Sequence, residues 1–117
     1  GIIKRSDIKS DKNDVDIRWF DIDPCYIFHI GNAFETDNNE IKLYGVRYHF
    51  MDANIFQDMS KVKPENKVNS FYEWILDLND GNVYERELLG GSVFEFPIIN
   101  NKYIGRKNKY MYLTESV

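Results

Sequence analysis

Large apolar and aromatic residues recur along the chain in short runs, most of them alternating with polar positions at the period of a β-strand. Runs over residues 15–20, 25–30, 41–50, 70–78 and 83–88 are each rich in aromatic or β-branched side chains, and two more cover 93–98 and 110–113. Turn-forming residues bound them: Asp23-Pro24, then Thr36 to Asn39, then Asn79 to Asn82. The last signal is the sharpest. Asp80-Gly81 can supply the positive dihedrals of a tight hairpin, so residues 70–88 are predicted to form two antiparallel strands. Residues 51–66 have weak periodicity and read as a surface connection or a short helix.

Short antiparallel strands at regular spacing belong to a sandwich, a barrel or a propeller, and periodicity alone does not choose among them. With 117 residues the chain makes at most one domain. Hydrophobic residues are 43% and aromatics 15%, enough apolar surface to build a packed interior. The net charge of −4, with Lys and Arg scattered, argues against a nucleic-acid partner. No apolar run approaches the roughly 20 residues that span a bilayer. The chain does not begin with Met, so its amino terminus is expected to lie upstream. Cys25 alone cannot form an internal disulfide or a thiolate metal site; it suits a reducing compartment, and a cytoplasmic location is expected.

One strand carries unusual chemistry. In "CYIFHIGNAFE" an imidazole, His29, stands among large apolar residues. Strict alternation would point Cys25, Ile27, His29 and Gly31 one way and Tyr26, Phe28 and Ile30 the other. A histidine there is either buried against a backbone carbonyl or a neutral metal ligand held by a rigid strand. A ligating histidine usually donates its second ring N–H to a carboxylate. "VFEFP" offers Glu95 between Phe94 and Phe96, but Glu35, Glu73, Glu85 and Glu87 are rivals, and spacing leaves the choice open. A solvent-facing glutamate is the commoner fate of such a position. His49, after a tyrosine near a strand end, reads as a partly exposed surface residue.

Three segments, "IRWFDIDPCYIFHIGNAFE", "FYEWILDLNDGNVYERELLGGSVFEFP" and "YIGRKNKYMYL", resemble consecutive motifs of the carotenoid cleavage oxygenases, a family that includes retinoid isomerases and stilbene-cleaving dioxygenases. The resemblance runs from "GIIKR" to the last tyrosines. It implies a seven-bladed β-propeller of which residues 1–117 supply about two blades, and a non-haem Fe2+ held on the axis by four histidines, three of them braced by glutamates. The histidine of His-x-x-Asn-Ala maps to His29 as an iron ligand. The glutamate of Glu-Phe-Pro maps to Glu95 as its brace, expected across a neighbouring strand. No residue beyond the metal site is expected to be catalytic. The implied reaction cleaves a carbon–carbon double bond of a carotenoid, apocarotenoid or stilbene with O2, giving two carbonyl products. The implied partners are that apolar conjugated alkene and O2, with membrane-surface association of the full-length protein open.

The chain departs from the family at Ile98, where an arginine is common, and at residues 108–112, where His-Arg-Tyr-Gly-Tyr is frequent. Neither departure touches a ligand. With His49 off the ligand pattern, only one ligand is present. The chain is therefore expected to be an internal fragment, inactive and poor at binding iron by itself. Two alternatives stand beside this reading: a retinoid isomerase-type activity, and a stand-alone β module in which His29 is structural.

Overall fold

A computed structural model describes residues 1–8, 15–49 and 68–116. Eight strands lie in these residues: β1 (Ile2–Ile3), β2 (Ile17–Arg18), β3 (Tyr26–Glu35), β4 (Glu40–Tyr48), β5 (Asn69–Asp77), β6 (Val83–Leu89), β7 (Val93–Ile98) and β8 (Tyr112–Ser116). A four-residue helix, α1 (Arg5–Ile8), and a short 3-10 turn (Asn101–Tyr103) complete the elements. The predicted connection at 51–66 and the end of the predicted 41–50 run lie outside the described residues.

The strands form three antiparallel sheets: β1 with β2, a meander in the order β3-β4-β5-β6, and β7 with β8. The all-β architecture expected of propeller blades is present, with two blades' worth of strands divided as one four-stranded sheet between two two-stranded ones. The first predicted strand, 15–20, contracts to β2, and the last lies two residues further along than expected. The second predicted run, 25–30, extends instead: β3 continues through "GNAFE" to Glu35.

The predicted hairpin joins β5 to β6, with Leu76 opposite Val83. Its turn is longer than the two-residue type that Asp-Gly suggests. Gly81 has φ +83° but Asp80 does not enter the left-handed region, and the Gly81 N–H closes on the Asp77 carbonyl at 3.0 Å. Asp80 instead caps the turn through its side chain, accepting from the Asn82 N–H at 2.8 Å. A glycine at the left-handed position still ends the loop, because it alone escapes the Cβ penalty there.

Both faces of the central sheet are covered. Val46, Tyr48 and Phe71 project from one face and pack with Phe94 of β7, Met111 and Leu113. Ile41, Trp74 and Leu76 project from the other and pack with Ile2 of β1, Phe20 and Cys25. Burying a side chain of this size stabilises the fold by roughly 1.5–3 kcal/mol. A polar clamp fixes the outgoing sheet. Asn69, 1% exposed, donates to the Phe94 carbonyl and accepts from the Phe94 N–H, both at 2.9 Å. Its amide thus takes the place of a ladder partner for β7. Asn69→Ala should strip both backbone groups of their partners inside the interior. The expected loss of about 2–3 kcal/mol is measurable by denaturant unfolding.

Candidate metal centre

His29 leaves β3 where the strand is irregular. Ile27 pairs with Arg47 and Ile30 with Gly45, three residues on one strand against two on the other, and a second slip separates Ile30 from Asn32. Such bulges re-aim side chains. The alternation expected from sequence is therefore broken: Ile27 and Ile30 share a face, because Arg47 and Gly45 do. Gly45 makes the bulge possible by leaving room beneath it. A Cβ there would stand 3.2 Å from the His29 carbonyl oxygen and 3.1 Å from Ile30 Cδ1. Gly45→Ala is expected to cost about 1–3 kcal/mol by overpacking. Thermal unfolding would register that loss, and a shifted bulge would also loosen metal retention in the full-length protein.

The structure brings His29 and Glu95 together. Nδ1 of His29 lies 2.8 Å from Glu95 Oε2, and the two side chains are 47% and 17% exposed. They do not meet across a ladder, as expected from sequence, but across two sheets: among the described residues β3 pairs only with β4, and β7 only with β8. An ionised carboxylate only accepts, so Nδ1 carries the proton and donates. In the neutral ring Nε2 then holds the lone pair, and among the described residues it takes no partner. A neutral imidazole with one nitrogen braced and the other bare on an exposed side chain is the donor a divalent transition metal accepts. The residues present therefore fit one position of an imidazole-bound metal. Among the described residues there is no cluster of three or more His, Cys, Asp or Glu that could complete a site.

Glu95 is itself held on both oxygens. The Tyr48 hydroxyl donates to Oε1 at 2.5 Å, and the Phe96 N–H donates to Oε2 at 3.0 Å. Burial, then the hydrogen bond to Glu95 and its charge, push the Tyr48 phenol well above its ordinary value, so it keeps its proton and donates. To turn its N–H toward the carboxylate, Phe96 adopts φ +51°, a left-handed conformation that is strained for an aromatic residue. Its ring then lies 5.0 Å from the His29 ring. Phe28 stands on the other side, edge-on to Tyr48 at 5.1 Å and to Tyr26 at 4.6 Å. Tyr26, Phe28 and Phe96 are each more than two-fifths exposed, so an apolar aromatic surface surrounds the imidazole.

Tyr48 is the member of this group that the sequence reading passed over. A tyrosine sharing one face of β4 with Tyr44 and Val46 is a buried phenol in need of an acceptor, and that was its only signal. The rival glutamates serve elsewhere. Glu73 accepts from Tyr44 and Arg86, each at 2.7 Å; burial alone would raise its carboxyl, but these partners and Lys42 hold it below its usual range. Glu85 accepts from Arg47 at 2.8 Å and the Trp74 indole at 3.0 Å. Glu35 and Glu87 sit opposite Ile41 and Tyr72 in their ladders. His49 is half-buried on the opposite face, 3.3 Å from the Ser70 hydroxyl. Asn32, also part of the His-x-x-Asn motif, is buried and clamps the later loop, donating to the Arg106 carbonyl and accepting from the Gly105 N–H.

A family model described as retinal pigment epithelial membrane protein matches residues 1–117. Carotenoid 9,10(9',10')-cleavage dioxygenase 1 of Pisum sativum is 35% identical over 103 residues, 88% of this chain and 19% of that protein. A carotenoid cleavage oxygenase of Mycobacterium tuberculosis (strain CDC 1551 / Oshkosh) is 31% identical over 100 residues, 83% of this chain and 19% of that protein. The crystal structure of cobalt-substituted Synechocystis ACO superposes with a TM-score of 0.71 at 19% identity, over 91% of this chain and 22% of that one. The chain spans about a fifth of the length of the curated relatives it matches.

Proposed function

Because the chain belongs to the retinal pigment epithelial membrane protein family of carotenoid cleavage oxygenases, we propose that it is part of a single propeller domain that cleaves a carbon–carbon double bond of a carotenoid, apocarotenoid or stilbene with O2. His29 is a ligand to a ferrous iron in this reading, Glu95 is its brace, and the remaining ligands come from outside these residues. The observation that carries the reading is the pairing itself: Nδ1 is committed to a carboxylate at 2.8 Å while Nε2 is bare.

Imidazoles suit iron(II), and neutral ones leave its double positive charge uncompensated. Glu95 offsets part of that charge without occupying a coordination position. Bound iron would supply the binding and activation of dioxygen. The chain's own residues do the rest: Glu95 accepts from Nδ1 and so aims the imidazole with Nε2 outward, and Phe28 and Phe96 offer apolar faces to the alkene while keeping water from it. The products balance as one alkene and one O2 giving two carbonyl compounds. Burial pushes the Cys25 thiol above its ordinary value, so less of it is thiolate; a lone thiol in a reducing compartment such as the cytoplasm remains part of this reading. Among the described residues no helix is long and apolar enough to cross a membrane.

The test is the full-length protein loaded with iron(II) and supplied with an apocarotenal or a stilbene under labelled dioxygen. Two carbonyl fragments per O2 consumed, seen by mass spectrometry, are the expected result. Geometric isomers formed without oxygen uptake would replace this reading with the isomerase one. Neither product from any polyene or stilbene would overturn it in favour of a binding module.

A further inference from the structure

The geometry points to Tyr48 as a positioning residue for the metal centre: its hydroxyl fixes the Glu95 carboxylate so that the opposite oxygen faces His29 Nδ1. The inference rests on the proposed role of His29 and adds a residue to it. The carboxylate accepts three hydrogen bonds, from Tyr48 at 2.5 Å on Oε1 and from His29 and the Phe96 N–H on Oε2. Two of those donors cannot hold its rotation. His29 is nearly half exposed, and the Phe96 N–H is local to Glu95 itself. Tyr48 can. It is 4% exposed, packed with Val46, Phe71 and Phe94, and edge-on to Phe28. The residue also comes from a different strand and sheet from Glu95, so it ties β4 of the central sheet to β7 of the next at the point where the imidazole is braced.

The chemistry explains why a phenol is used there. A short O–H···O⁻ bond is among the stronger hydrogen bonds, and it pins the carboxylate from the buried side. Without it, Oε1 would be left with no donor inside the packed face. The carboxylate would then be free to swing toward solvent, and His29 would lose its acceptor. Phe at this position keeps the ring and its packing and deletes the hydroxyl, which bonds Asn69 as well as Glu95; thermal unfolding registers any loss from Asn69.

The experiment uses the full-length protein and cobalt(II) as the probe, because its d–d absorption reports ligand geometry without turnover. Cobalt affinity and spectrum would be compared for the wild type, Tyr48→Phe, Glu95→Gln, the Tyr48→Phe/Glu95→Gln double variant and His29→Ala, with thermal unfolding of each metal-free protein as the folding control. The expected result is cobalt binding about tenfold weaker in folded Tyr48→Phe, with a shifted absorption band, and a double variant no weaker than Glu95→Gln alone. Folded Tyr48→Phe with wild-type affinity and spectrum, beside a His29→Ala variant that has lost the metal, would overturn the role of Tyr48 and leave that of His29 intact. Additive losses in the double variant would also overturn it, since Tyr48 would then act independently of Glu95. His29→Ala retaining cobalt as the wild type does would remove the ligand assignment and this inference together. Should Tyr48→Phe not fold, 3-fluorotyrosine at position 48 keeps the ring and sharpens the donor. A moved cobalt band then supports the role, and an unmoved one refutes it.

Discussion

His29→Ala in the full-length protein is expected to abolish alkene cleavage and to lower bound iron well below one per chain, with little change in stability. The imidazole makes one strong contact, 2.8 Å to Glu95, and is nearly half exposed, so its removal costs the fold about 1 kcal/mol. The loss of activity should be far larger. Losing an outer partner of a ligand typically costs 10–100-fold in affinity or activity, and losing the ligand itself should exceed that. Iron analysis, a cleavage assay and a thermal melt on the same preparation separate the two effects. A folded variant that keeps its iron and its turnover would return His29 to a structural role.

The largest stability effect is expected at Trp74, on the face of the central sheet away from Tyr48 and Glu95. It is 1% exposed, packs with Ile41 and Leu76, and its indole N–H donates to Glu85 Oε2 at 3.0 Å. Trp74→Ala should remove about 3–5 kcal/mol through the cavity it leaves. Glu85 would keep its bond to Arg47, whose guanidinium also lies 4.9 Å from the Tyr72 ring. Trp74→Phe keeps most of the volume and loses the hydrogen bond, so it should cost about 1–3 kcal/mol. Denaturant midpoints of the two variants measure the split. Equal losses would mean that the hydrogen bond, not the packing, dominates.

Strand positions were legible where alternation and turn chemistry agree. Residues 93–98 were bounded correctly, and the 70–88 hairpin was found because a glycine after an aspartate has few other uses. The candidate metal centre was legible only in part. His29 stands out as an imidazole among apolar residues, but its pairing with Glu95 came from motif resemblance, since five glutamates compete on spacing alone. Three features left almost no trace in the sequence. The bulges in β3 lie in a run that reads as regular alternation, and they depend on a glycine in the neighbouring strand. The left-handed backbone of Phe96 goes against the residue's own preference and is maintained by contacts around Glu95. Tyr48 meets Glu95 from 47 residues away and in another sheet, a contact that no local pattern encodes.

The separation of His29 from Glu95 also sets the order in which the centre can mature. The two lie 66 residues apart, on sheets that share no ladder. Closing so long a loop costs chain entropy that only sheet-on-sheet packing can offset. During synthesis the imidazole therefore emerges, and its meander can zip up, well before its carboxylate exists. Until the chain is made through β7 and that strand docks on Asn69, the ring has no acceptor to select its tautomer, and either nitrogen can face a passing cation. Docking of β7 is thus the step that selects the tautomer and leaves Nε2 as the one outward nitrogen of the proposed ligand.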